Sequence, residues 1–177
     1  MRVLIVFLVC VFPVMAQPAT KSKAQADKWR TYAKIQIDSA TGEIPVMAAY
    51  RDNLNSDLGK LNTEFNMRKA KMDPADVTKC ENQLARGNGK VTLATSTIAK
   101  AQKDLDNANK FYTASTNSYT LGLWTVSANK ATEADIQGGN ANRRLERTGE
   151  IVDVGYEHWA IINTTLAKYR MGMEMDG

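Results

Sequence analysis

Residues 74–126 read PADVTKCENQLARGNGKVTLATSTIAKAQKDLDNANKFYTASTNSYTLGLWTV, and their spacing decides the fold. Alternating steps of three and four from Val77 pick out Val77, Leu84, Val91, Ile98, Leu105, Tyr112, Tyr119 and Val126. Between them fall Cys80, Gly87, Ala94, Ala101, Ala108, Ser115 and Gly122. Large residues thus alternate with small ones along one stripe of a helix. The small positions admit a facing helix closely, so the row reads as a helix-pairing seam. Its phase survives Gly87-Asn88-Gly89, a sequence that ordinarily marks a break, at ~1 kcal/mol for each helical glycine. Continuity from Pro74 to Val126 is the reading adopted, about 80 Å of helix. A break near 87–89 or 113–122, where Thr113–Thr120 is rich in poor helix formers, is the alternative.

The start of this helix is written in Asp73-Pro74-Ala75-Asp76. Asp73 suits the cap, Pro74 the first turn and Asp76 the positive end of the helix dipole. Upstream, Met47, Tyr50, Leu54, Leu58, Leu61 and Phe65 recur at helical spacing, which predicts a helix over 44–71. It forms an antiparallel hairpin with the helix that follows. Trp29, Ala33, Ile37 and Ala40 predict a first helix over 22–40, which Thr41-Gly42 separates from the next or joins to it with a kink. Gly138-Gly139-Asn140 reads as the break before a last helix over 141–170, whose apolar row is Leu145, Thr148, Val152, Gly155, Trp159, Ile162, Leu166 and Tyr169. The tetrapeptide Thr-Gly-Glu-Ile at 41–44 recurs at 148–151 without matching flanks, so it is read as coincidence. The expected fold is all-α: an elongated antiparallel bundle or coiled-coil hairpin of three to five helices, one very long.

Residues 1–16 read as a secretory signal peptide. Arg2 is followed by an apolar run from Val3 to Phe12, and Val14 and Ala16 precede the expected cleavage before Gln17. Residues 17–177 then form a single helical domain, expected to be secreted, extracellular or in a secretory granule. Removal of Cys10 leaves Cys80 alone, either buried or in an interchain disulfide. The 177 residues hold 23 Lys and Arg against 19 Asp and Glu, a net charge of +4. So mild an excess gives no reason to expect a nucleic-acid partner. The one concentration, Lys21–Lys34, carries Trp29 and Tyr32 and suggests contact with an anionic membrane surface.

Few residues suggest chemistry. His158, the single histidine, has Glu157 beside it, but neighbours on a helix point apart and make no dyad. Asn163-Thr164-Thr165 is a glycosylation sequon. Met171, Met173 and Met175 resemble a soft Cu(I) donor set, but no other donor supports them. Trp124, Trp159, Tyr112 and Tyr119 suggest a ligand pocket or, more simply, core. No phosphate loop, paired metal motif or nucleophile elbow occurs, and neither a cofactor nor a metal is expected. The expectation is a secreted, non-enzymatic structural or interaction protein. It self-associates, or binds another extracellular protein, through long helix faces. The alternatives are a membrane-active pore-former or toxin, and a carrier of a small apolar ligand.

Overall fold

The computed structural model describes residues 20–174, so the signal-peptide assignment lies outside the described residues. The chain is all-α. Three helices follow one another: α1, Lys23–Arg68, α2, Pro74–Thr120, and α3, Trp124–Glu174. Their lengths are 46, 47 and 51 residues, or about 69–77 Å each. A single 3-10 turn, Lys69–Lys71, joins α1 to α2. The helices run down, up and down, and each packs on both others.

The structure departs from the expected boundaries in three places. Helices 22–40 and 44–71 are one helix, despite Gly42 and despite Pro45 in its interior. The reason is phase. Ala33, Ile37 and Ala40 are buried, Ile44 and Met47 half-buried, and Leu54, Leu58, Leu61 and Phe65 buried, so one apolar stripe crosses the junction without a step. Burial along that stripe outweighs the local cost of glycine and proline, as tertiary packing commonly does. Thr41 Oγ1 donates to the Ile37 carbonyl at 2.7 Å, holding the turn just before the proline.

Gly138-Gly139 likewise lies inside α3. The row from Leu145 extends backwards in phase through Ala141, Gly138, Ala134 and Ala131 to Ser127, all buried. Here glycine is a packing device. A Cβ at Gly138 would sit 2.8 Å from Gln36 Cβ, and one at Gly155 would run into Leu54 Cδ2, so both let α1 approach α3 closely.

The helix from Pro74 is continuous through Gly87-Asn88-Gly89 but ends at Thr120, not Val126. Gly122 adopts φ 73°, which glycine reaches without strain. Its N–H donates to the Tyr119 carbonyl and that of Leu123 to the Ser118 carbonyl, the double closure of a Schellman motif. Gly122 therefore stops the helix instead of continuing the small row. At the other end, Asp73 is the N-cap, but its side chain makes no capping bond. Its backbone N–H donates to the Tyr169 hydroxyl at 3.1 Å. α1 opens with a capping box, Ser22 with Gln25, which the apolar spacing alone does not reveal.

Two apolar clusters fill the interior. One contains Leu54, Leu58, Leu61, Phe65, Cys80, Leu84, Val152, Ile162 and Leu166. The other contains Ile37, Ala40, Ala101, Leu105, Ala108, Ala141 and Leu145. Alanine dominates toward the α2–α3 turn. There Ser115 and Ser127, both fully buried, hydrogen-bond across the two helices at 3.1 Å.

Candidate functional site

Along the predicted seam, Leu84, Ile98 and Leu105 are buried, and Val77, Val91, Tyr112 and Tyr119 are half-buried. Val126 leaves the row: it lies in α3 and is 45% exposed. The small positions from Cys80 to Ser115 are all buried. The seam is thus covered from within, because α1 and α3 flank α2 along its length.

Cys80 is a free thiol with no exposed surface, and burial pushes its pKa up. His158 Nδ1 lies 2.7 Å from Gln83 Oε1. Burial, then Lys90 and Arg86, hold the imidazole below its ordinary value and so neutral at pH 7. Asn163 is half-buried, and its Oδ1 accepts from Arg170 Nη1 at 3.0 Å. That leaves Nδ2, the atom a glycan takes, without a protein partner among the described residues. Arg170 also forks onto Glu64 at 2.6 and 2.7 Å, and Arg68 joins it at 2.8 Å. Tyr169 donates to Asp76 at 2.8 Å. These contacts clamp all three helices at the end opposite the α2–α3 turn.

The aromatic residues do not converge on one pocket. Tyr119 and Trp124 meet edge-on at 4.9 Å beside the turn, whereas Trp159, with Tyr156 and Tyr50, packs against the cluster of Leu54, Ile162 and Leu166. The Lys21–Lys34 stretch is largely engaged by the fold. Arg30 lies over the Tyr119 ring at 4.2 Å, Lys23 lies over Tyr119 and Trp124, and Lys34 pairs with Asp38 at 2.6 Å. Among the described residues no His, Cys, Asp and Glu side chains cluster as metal donors, and no helix is long and apolar enough to cross a membrane. The side chains of Met171, Met173 and Met175 lie outside the described residues.

Two surfaces that the apolar spacing does not single out stand apart. The first is the outer face of α1. Tyr32, Ile35, Ser39, Gly42, Val46, Ala49 and Asn53 recur at alternating three and four, all exposed and none charged. Ile35 is 57% exposed and Val46 54%. A Cβ added at Gly42 would meet nothing within 4 Å, so no contact inside the chain explains this glycine. The second is the α2–α3 groove. An open cavity of about 440 Å³ there is lined by Leu93, Thr97, Lys100, Asn140, Arg143, Arg144 and Arg147.

No family model, curated protein or solved structure matches the chain. The fold therefore defines the class, an antiparallel bundle of three long helices, and function rests on these surfaces.

Proposed function

We propose that the chain is a secreted, non-enzymatic helical protein that associates with itself along the outer face of α1. The observation that carries this reading is the uncharged outer row of that helix. An ordinary solvent-facing helix stripe is polar and charged. Here exposed large residues alternate with small ones over about 32 Å from Tyr32 to Asn53, at 1.5 Å per residue.

The pattern is also self-complementary. Let two copies of α1 cross antiparallel with Gly42 on the two-fold axis. Ile35 then faces Ala49 of the other copy, Val46 faces Ser39, and Tyr32 faces Asn53. Each large residue meets a small one, as an isologous interface requires. Lys28 comes beside the Lys60–Asp57 ion pair at the rim. The glycine at the axis permits the close approach that its mid-helix cost of ~1 kcal/mol would otherwise leave without return.

His158 and Cys80, the residues best suited to chemistry, are held by Gln83 and by the core, which favours an interaction role over catalysis. The charged lining of the α2–α3 groove favours neither a membrane-inserting hairpin nor an apolar guest.

Sedimentation velocity over a wide concentration range tests the proposal. The wild-type chain forms dimers, and Val46→Lys, which places a charge opposite Ser39 in both halves, shifts the equilibrium to monomer. A monomer at every concentration refutes the reading, as does a Val46→Lys chain that associates like the wild type.

A further inference from the structure

We infer that the α2–α3 groove binds a linear sulfated polysaccharide. On α2, Arg86, Lys90, Leu93, Thr97 and Lys100 follow one another at steps of four and three, so they share one stripe beside α3. On α3, Arg144 and Arg147 share the corresponding stripe, with Arg143 on its outer edge. The register is fixed by contacts: Asp104 pairs with Arg144 at 2.6 Å, and Gln83 meets His158 at 2.7 Å. Antiparallel alignment from these points places Lys100 and Thr97 beside Arg144 and Arg147, and Arg86 beside His158.

Six cations thus line a track of about 21 Å, from Arg86 to Lys100 at the helical rise. Asp104 is the only carboxylate paired with any of them among the described residues. Glu146 opens onto the opposite groove, with Gln36 and Asp135, and Arg143 stands on the ridge between the two grooves. Six of the chain's 23 lysines and arginines are gathered on this track.

The layout selects the ligand. The cations form two groups, Arg86 with Lys90, and Lys100 with the three arginines. Between them lie Leu93, 43% exposed, and the buried Ile151. A polymer of evenly and closely spaced charges would set anionic groups over this apolar interval. A sulfated polysaccharide would lay the C–H face of a sugar ring there and carry its sulfates to the cations at either end. A planar guanidinium fork can donate to two oxygens of one tetrahedral sulfate group at once. No Phe, Tyr or Trp stands on either row to stack a base, which a single-stranded nucleic acid would use, and the one imidazole, His158, is half-buried and held by Gln83. This ligand rests on the proposed function only for its extracellular location and is independent of self-association.

The test is titration of the full chain with a size-defined heparin octasaccharide. Fluorescence anisotropy is read at low and near-physiological salt. The triple variant Lys100→Ser, Arg143→Ser, Arg147→Ser changes three exposed side chains and leaves the Arg144–Asp104 pair intact. It is expected to weaken binding at least about tenfold and to flatten the dependence of log Kd on log salt. The control Lys103→Ser, Lys110→Ser removes exposed lysines outside the groove and is expected to leave Kd within about twofold. Val46→Lys, monomeric by the proposed function, should bind as the wild type does, so the two readings fail separately. Equal losses in the triple variant and the control would overturn the inference by revealing diffuse attraction. So would an undiminished triple variant, or tighter binding of inorganic polyphosphate of matched charge.

Discussion

Adjacent glycines in α3 should respond in opposite directions to the same substitution. Gly139→Ala adds a methyl where nothing lies within 4 Å. It should gain the helix-propensity difference, ~1 kcal/mol, and raise Tm by about 2–4 °C for a chain of this size. Gly138→Ala receives the same gain but brings its Cβ to 2.8 Å from Gln36 Cβ and 3.3 Å from the Gln36 carbonyl carbon. These atoms are at or beside the α1 backbone, so a side-chain rotation cannot clear them. Either α1 moves away or the contact stays compressed, and overpacking of this kind costs about 1–3 kcal/mol. The net effect at Gly138 is a loss of up to ~2 kcal/mol, separated from the Gly139 variant by at least ~1 kcal/mol. Urea denaturation followed by helical circular dichroism reads both, with protein concentration fixed because association would itself shift the midpoint. If Gly138→Ala stabilises as much as Gly139→Ala, α3 does not cross α1 at this point and the described packing is wrong.

Three further outcomes follow from the titratable groups. The Arg170 guanidinium, opposed by burial and assisted by Arg68, holds the Glu64 carboxyl below its ordinary range. Its folded-state pKa is therefore under the unfolded one, so its stabilisation is complete above the usual glutamate range and disappears as pH falls through the lowered value. Glu64→Ala should cost about 1–3 kcal/mol at pH 7 and flatten that acid limb of Tm against pH. Asp135 is shifted the opposite way, its pKa raised by burial alone. Stability should decline as pH rises from the usual aspartate value through the raised one, and Asp135→Asn should remove that decline and raise Tm at neutral pH. Cys80, buried with a raised pKa, should resist a water-soluble thiol reagent until the chain unfolds; rapid labelling of the native protein would show that α2 opens or the thiol is misplaced.

The helices are legible in the sequence wherever one apolar row runs unbroken. The alternation from Val77 to Ser115 is plain in the residues themselves, and it carries α2 across Gly87. The same rule, applied at Gly42 and Gly138, joins the other segments. Ala40 leads to Ile44 and Met47 in phase, and Leu145 leads back to Ser127. Local turn chemistry argues for breaks at both places, and burial overrides it. Gly122 shows the converse, since a glycine in phase with the row is the positive-φ stop.

The surfaces are harder to read for a physical reason. The basic groove draws its cations from two helices running in opposite directions, so Lys100 and Arg147 become neighbours only once the register is known. The outer row of α1 is written in one segment, Tyr32 to Asn53, but a break at Thr41-Gly42 would split it. Only a continuous helix places Ile35 and Val46 on one face.

The most direct test of the central claim is a disulfide across the proposed two-fold axis. In a full chain carrying Cys10→Ala and Cys80→Ala, Gly42→Cys should oxidise to a dimer-mass band that reductant removes, because facing residues at the axis approach within disulfide range. Gly89→Cys, on the outer face of α2 and equally open to solvent, should remain monomeric under the same oxidant. Equal cross-linking at both positions, or none at Gly42→Cys, would contradict association through α1.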